Sequence, residues 1–148
     1  TTTWYTTNDS TIDITGVQLE VSDHASDFEH LSFADELRRC QRYYQQSYEH
    51  GTSAGTSTNT NAIVWYPDAT VSYASVSFTL PISMRTQPTV TIYSSTGASG
   101  KIRNADASTD HNSYVNTNSD SFLMFAVNNS QISQSNTVRC HYTASAEL

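Results

Sequence analysis

The alternation of apolar and polar side chains is clearest in the second half of the chain, where it predicts β-strands. From Ala74 to Met84 every even position is apolar, and the odd positions carry Ser, Thr or Pro. Because successive side chains of a strand point to opposite faces, this pattern predicts one buried and one solvated face. Pro81 lacks an amide donor, so we expect an edge strand or a break there. Residues 138–144 repeat the alternation.

Other segments add strands to this pattern. Residues 121–127, SFLMFAV, are apolar on both faces, which predicts a central strand or a contact between subunits. Residues 51–61, GTSAGTSTNTN, form a polar loop with no apolar residue to anchor it. Seven or eight short strands predict an all-β fold, an antiparallel β-sandwich of jelly-roll type. The weaker strand signals lie at 62–66, 90–92, 101–104 and 113–117.

A short helix is predicted ahead of the strands. Ser32 and Asp35 have the spacing of a capping box, with Asp35 in the place that Glu usually takes. Apolar side chains then follow at helical spacing for two or three turns. These are Phe33, Leu37, Cys40 and Tyr44, with Arg38, Arg39 and Arg42 on the polar side.

Residues 1–30 contain one amphipathic strand without a core of its own. Ile12 and Ile14 share one parity, and the apolar residues after Gly16 share the other, so a β-bulge at Gly16 would bring them to one face. This strand must lie on the following domain, on a neighbouring subunit or on an upstream module. We therefore expect residues 1–30 to be the terminal strand and linker of an upstream module, and residues 31–148 to be the main domain.

Composition and charge exclude several classes of partner. The net charge is −7 and the chain has a single Lys, so no basic stripe exists to neutralise nucleic-acid phosphates. No apolar run approaches the roughly 20 residues of a transmembrane helix, so membrane insertion is not expected. Hydrophobic residues make up only 36% of the chain, which favours burial of apolar surface by homo-oligomerisation. Cys40 and Cys140 could form one disulfide, but the favoured interpretation is two small buried apolar side chains.

Spacing selects no catalytic or metal site. The Asp residues lie mostly in Ser/Asn/Thr loops, where Asp caps turns, so we expect no catalytic residues, no enzyme activity and no cofactor. Two sets of residues that lie close together in sequence could ligate a divalent ion. They are Asp106, Asp110 and His111, and Asp23, His24 and Asp27. Neither set matches a metal-binding spacing, so solvated loop residues are the better interpretation, and a structural hydrogen bond accounts for His141.

Sugar recognition is the binding function that the composition permits most easily. Saccharide sites combine aromatic faces with Asp, Asn or Gln side chains for hydroxyl groups. For each aromatic residue the alternative is a place in the core or at an interface, and this alternative is favoured. The candidate ligand-binding residues are Trp65, Tyr66, Tyr73, Tyr114, Asp110 and Asn112. The candidate oligomer-interface residues are Phe122, Leu123, Met124, Phe125 and Val127.

Three stretches carry a resemblance to a known family. Residues 16–20 read GVQLE, Phe28 precedes Glu29, and residues 33–44 read FADELRRCQRYY; the end reads YTASAEL. These stretches resemble the C-terminal domain of tail-fibre and other appendage proteins of tailed bacteriophages. The resemblance implies a trimeric virion protein on the particle surface or a tail appendage. It also implies that the first strand ends an upstream jelly-roll module, and it is weak between residues 50 and 135.

Three functions follow from the residues and the resemblance. The first is the trimeric tip domain of a tail fibre that contacts a host-surface glycan or receptor. The second is purely architectural, as in a head fibre, a decoration protein or an adaptor that binds other virion proteins. The third, a glycan-degrading enzyme, is disfavoured because such enzymes need paired carboxylates and usually carry repetitive β-helical sequence.

Overall fold

The computed structural model describes residues 11, 13–28, 30–67, 73–128, 132 and 135–146. The chain divides into two compact units, Thr1–Phe33 and Ala34–Leu148. Each unit is described by itself below. The assignment of the first unit to an upstream module stays a prediction.

The described part of the chain contains one helix and eight strands, and every strand pair is antiparallel. This confirms the all-β class with one short helix ahead of the strands. The jelly-roll type within that class stays a prediction. The elements are α1 (Phe33–Gln41), β1 (Tyr44–Gln46), β2 (Ile63–Trp65), β3 (Tyr73–Thr79), β4 (Thr89–Ser94), β5 (Lys101–Asn104), β6 (Thr109–Asn118), β7 (Phe122–Asn128) and β8 (Val138–Ser145).

Strand β8 is the centre of the sheet because it pairs along both of its edges. On one edge it pairs with β1 and β2, and on the other with β4 and β5. The long strand β6 pairs first with β5 and then with β7, with a register shift between Val115 and Thr117. Strand β3 ends the path as the outer neighbour of β7. The sheet therefore curls from β8 round to β3.

Aromatic side chains pack the outer strand β3 against the central strand β8, which closes the curled sheet into a sandwich. Phe78 of β3 contacts both Phe125 of β7 and Tyr142 of β8, with ring centroids 5.3 and 5.2 Å apart. Phe78, Val76 and Ala74 point into the core, while Ser75, Ser77 and Thr79 are exposed. The predicted two-faced strand is confirmed. It ends at Thr79, two residues before Pro81, and lies at the end of the strand order, as the missing amide donor predicts.

Strand β7 lies between β3 and β6, which confirms a central position for SFLMFAV. The oligomer-interface prediction needs a correction here. Leu123, Phe125 and Val127 have no exposed surface and pack in the core of their own chain. Phe122 and Met124 point to the other face and are half-buried. Only these two of the five residues keep surface that another copy could contact.

Helix α1 begins at Phe33, directly after the predicted cap Ser32, and runs for nine residues. Its predicted position is therefore confirmed, but its apolar stripe is not covered. No residue of α1 is buried, and both Leu37 and Cys40 are exposed. The prediction that both cysteines are buried is therefore wrong for Cys40, while Cys140 is fully buried. Both thiols are free, so no disulfide forms between them.

The first unit has no paired β-strand between residues 13 and 28. A strand requires hydrogen bonds to a neighbour, and amphipathic sequence alone does not supply one. Gly16 has φ +66°, a left-handed conformation that permits the expected change of parity. Ile12 lies outside the described residues. Ser26 donates its amide N–H and its hydroxyl to Glu20, both at 2.6 Å, which lowers the pKa of that carboxyl.

The polar loop 51–61 is held by hydrogen bonds rather than by apolar contacts. The Gly55 amide donates to the Tyr48 hydroxyl at 3.1 Å, and the Thr58 amide donates to the Ser95 carbonyl at 3.0 Å. The backbones of Gly55 and Gly97 lie so close that a Cβ on Gly97 would be 2.1 Å from the Gly55 oxygen. The loop is therefore fixed against the turn that follows β4.

Candidate ligand-binding site

A pocket of about 330 Å³ lies in the second unit, where α1, β1 and β8 meet the turn after β3. The chain leaves α1 through a turn in which the Tyr43 amide donates to the Cys40 carbonyl at 2.9 Å. It then enters β1 at once, because Tyr44 pairs with Ser145 of β8. The lining residues are Leu37, Gln41, Tyr44, Gln45, Gln46, Tyr48, His50, Gly51, Pro81 and Tyr142.

Three tyrosines form the aromatic part of the pocket. Tyr44 is 43% exposed, whereas Tyr48 and Tyr142 are buried and present only part of their rings. Burial raises the pKa of all three phenols above their ordinary value, so each is a neutral hydroxyl at physiological pH. The Tyr44 hydroxyl donates to Oε1 of Gln46 at 3.0 Å, which orients both side chains. The pocket therefore offers neutral aromatic surface.

Gln45 is the most buried polar residue of the pocket, with 5% of its surface exposed. Its Nε2 donates to the carbonyls of Gln41 at 2.9 Å and Ile82 at 2.6 Å. Because both partners are acceptors, the orientation of the amide is fixed. Its Oε1 is buried and has no donor. An unpaired buried acceptor of this kind costs about 1–3 kcal/mol.

The aromatic residues predicted to bind ligand are not brought together. Trp65 is buried in the core, so the favoured alternative holds for it. Tyr66 is exposed at the end of β2, and the side chain of Tyr73 lies outside the described residues. Tyr114 on β6 is 44% exposed and lines a second, smaller pocket of about 210 Å³.

Asp110 belongs to an internal network rather than to an open site. Its Oδ1 accepts from the Arg103 guanidinium at 3.1 Å, and its Oδ2 accepts from Ser94 at 3.0 Å and Thr96 at 2.6 Å. Burial acts to raise the pKa of Asp110, but these hydrogen bonds outweigh it and hold the pKa below its ordinary value. Asn112, the other predicted polar contact, is exposed opposite Lys101.

The two close sets of possible metal ligands have separate partners. His111 contacts the Thr109 hydroxyl at 2.9 Å, and Asp106 accepts from the Thr137 amide. In the first unit, Asp23 contacts His24 at 2.6 Å. Within the described residues no three His, Cys, Asp or Glu side chains are grouped as metal ligands would be.

Ser47 and His141 form a close pair whose role is structural. The Ser47 hydroxyl lies 2.9 Å from Nδ1 of His141, and Nε2 of His141 lies 3.1 Å from the Thr58 carbonyl. A carbonyl only accepts, so Nε2 carries the proton and Nδ1 accepts from Ser47. Ser47 also accepts from the Tyr142 amide at 3.1 Å. His141 has no exposed surface, so the pair cannot meet a substrate.

The sequence interpretation missed the pocket because it assigned Tyr44 to the apolar side of the predicted helix. The available signal was the run YYQQSY at residues 43–48, which concentrates aromatic and amide side chains in one short strand. Such a run supplies the two kinds of group that a saccharide site combines. The depth of the pocket depends on the pairing of β1 with β8, which lies far away in sequence.

Comparisons with protein-family models, curated proteins and solved structures found no match to this chain. In the part of the chain that the structure describes, no helix has the length and hydrophobicity needed to cross a membrane.

Proposed function

We propose that this chain is a structural module of a bacteriophage virion appendage, such as a tail fibre, that forms a homotrimer and contacts a glycan on the host surface. Support comes from the residues that resemble such appendage proteins at both ends of the chain. The all-β sandwich has the construction expected of a tip domain. Its partners would be two further copies, other virion proteins and a host polysaccharide.

The observation that carries the proposal is the apolar surface of the first unit. Leu19 and Val21 are fully exposed, and Ile14 and Val17 are about three-quarters exposed. Four exposed apolar side chains within eight residues indicate a surface that is covered by association. Covering it with neighbouring copies would also supply the backbone partners that residues 13–28 lack within their own unit. The trimer, rather than another oligomer, follows from the resemblance.

Light scattering of the purified chain tests the oligomer. We expect three times the mass of the 16.4 kDa chain, and a mass near 16.4 kDa would contradict the proposal. The triple variant Val17→Ser, Leu19→Ser, Val21→Ser should dissociate the trimer while the second unit keeps its thermal unfolding transition. Gln18→Ser is the matched control on the same segment and should remain trimeric.

The place on the particle and the contact with the host need a second experiment. Antibody fragments raised against the chain should label an appendage of the phage particle in electron micrographs. The purified trimer should compete with the phage for adsorption to its host cells. Labelling of the head without competition would instead indicate the architectural role.

A further inference from the structure

We propose that the pocket between α1, β1 and β8 binds one neutral sugar unit of the host glycan. This inference rests on the proposed glycan contact and adds its location and the class of its ligand. The site differs from the one that the sequence predicted around Trp65 and Tyr114.

The lining of the pocket has the two kinds of group that a sugar ring requires. A pyranose presents a face of C–H bonds, which packs against aromatic rings, and a rim of hydroxyl groups, which needs amide or hydroxyl partners. Tyr44 supplies an accessible ring, and Gln45 and Gln46 follow it directly in β1. The volume of about 330 Å³ lies at the lower end of the roughly 300–1,000 Å³ range of small-molecule sites. It therefore suits a single sugar unit.

The amide side chains of β1 supply the polar part of the wall. Nε2 of Gln45 donates to two backbone carbonyls, so this side chain is held in one orientation and its buried Oε1 is closed to a ligand. Gln46, fixed by Tyr44 and by its own bond to the Thr52 carbonyl, lies on the neighbouring wall.

The charge of the lining selects a neutral sugar. None of the ten lining residues is Asp, Glu, Lys or Arg. A uronic or sialic acid would place a carboxylate against tyrosines and amides, which costs free energy, and His50 is the one lining side chain that protonation could make cationic. The lining therefore favours a neutral, hydroxyl-rich ligand.

Titration of the isotope-labelled trimer, followed by amide chemical shifts, tests this assignment. The probes are the methyl glycosides of glucose, galactose, mannose and N-acetylglucosamine, with methyl glucuronide as the charged comparison. At least one neutral glycoside should give saturable shifts confined to residues 37–51 and the neighbourhood of Tyr142. Tyr44→Ala should weaken that binding about tenfold because the accessible ring is lost.

Tyr114→Ala is the matched control, because Tyr114 has almost the same exposure as Tyr44 and lines a different pocket. Its effect on affinity should stay within about twofold. Three results would overturn the assignment: no saturable shift with any neutral glycoside, an equal loss in Tyr114→Ala, or tighter binding of the glucuronide. Shifts of the pocket amides that depend on protein concentration alone would show that a second copy covers the pocket, which would contradict the assignment as well. None of these results changes the trimer mass or the labelling of the particle, so the proposed function stands or fails separately.

Discussion

The imidazole ring of His141 lies flat on the phenol ring of Tyr48, with centroids 4.1 Å apart and planes 13° from parallel. The stack joins the central strand β8 to the segment that leads from β1 into the polar loop. Thr58 holds the other side of the imidazole through its carbonyl. One buried, neutral histidine therefore connects the sheet to a loop that has no hydrophobic anchor of its own.

Acid should destabilise the domain through His141 before it affects the carboxylates. Burial lowers the pKa of His141 below its ordinary 6.5, outweighing the hydrogen bond to Thr58. His141 therefore binds a proton more readily in the unfolded chain than in the folded one. The contribution of neutral His141 to the free energy of unfolding is fully present above about pH 6.5 and is lost as pH falls below it. Urea unfolding at pH 7.5 and pH 5 should show a lower midpoint at pH 5. In His141→Gln this difference should shrink, and an unchanged difference would exclude His141 as its source.

Gly97→Ala should destabilise the domain more than any other glycine substitution in these turns. Gly97 has φ +93°, and a Cβ there would meet the Gly55 oxygen at 2.1 Å. The backbone strain alone costs about 1–3 kcal/mol, and the clash adds to it. Gly100→Ala is the matched control, since it has φ +69° and no atom within 4 Å of a Cβ. Thermal unfolding should rank Gly97→Ala below Gly100→Ala, and equal losses would contradict the close approach of the two loops.

Two neighbouring residues of β7 should give different outcomes when replaced by Asp. Phe125→Asp buries an unpaired charge among Phe78 and Tyr142, so it should cost about 4 kcal/mol or more and unfold the domain. Met124→Asp lies on the half-buried outer face and should keep the fold. If that face contacts another copy, Met124→Asp will also lower the mass measured by light scattering. Circular dichroism separates the two outcomes, and loss of structure in both variants would contradict the assignment of faces.

Asp110→Asn should lower stability without changing sugar binding. The substitution removes the charge that Arg103, Ser94 and Thr96 all donate to, which should cost about 1–3 kcal/mol. Asp120→Asn, an exposed Asp with two serine partners, is the control and should change stability by less than about 0.5 kcal/mol. A loss of glycoside affinity in Asp110→Asn would show instead that Asp110 contributes to ligand binding, as the sequence predicted.

The sequence predicts those features of the fold whose cause lies within a few residues. The two faces of β3 follow from the alternation of its side chains, and the start of α1 follows from Ser32. Both depend on local stereochemistry. The all-β class follows in the same way, from the number of short strands.

Features that depend on distant pairing could not be predicted from the sequence. SFLMFAV is apolar on both faces, but only its place between β3 and β6 shows that Leu123, Phe125 and Val127 serve the core. The pocket needs β1 to pair with the far end of the chain, so a run of tyrosine and glutamine alone does not reveal a cavity. The sequence gives no sign of what holds the polar loop 51–61, because the loop is held by hydrogen bonds to Tyr48 and Ser95 rather than by apolar side chains.

The central position of β8 also decides when this domain can assemble during its synthesis. Strands β1, β2 and β4 all pair with residues 138–145, and Tyr44 meets its partner Ser145 from about 100 residues away. Until the ribosome has released that stretch, their apolar side chains have no permanent cover and are open to aggregation. Such long-range pairing also folds slowly, on the order of milliseconds to seconds. The amount of soluble protein obtained from an expression host should therefore depend on translation speed and growth temperature as much as on the stability of the finished fold.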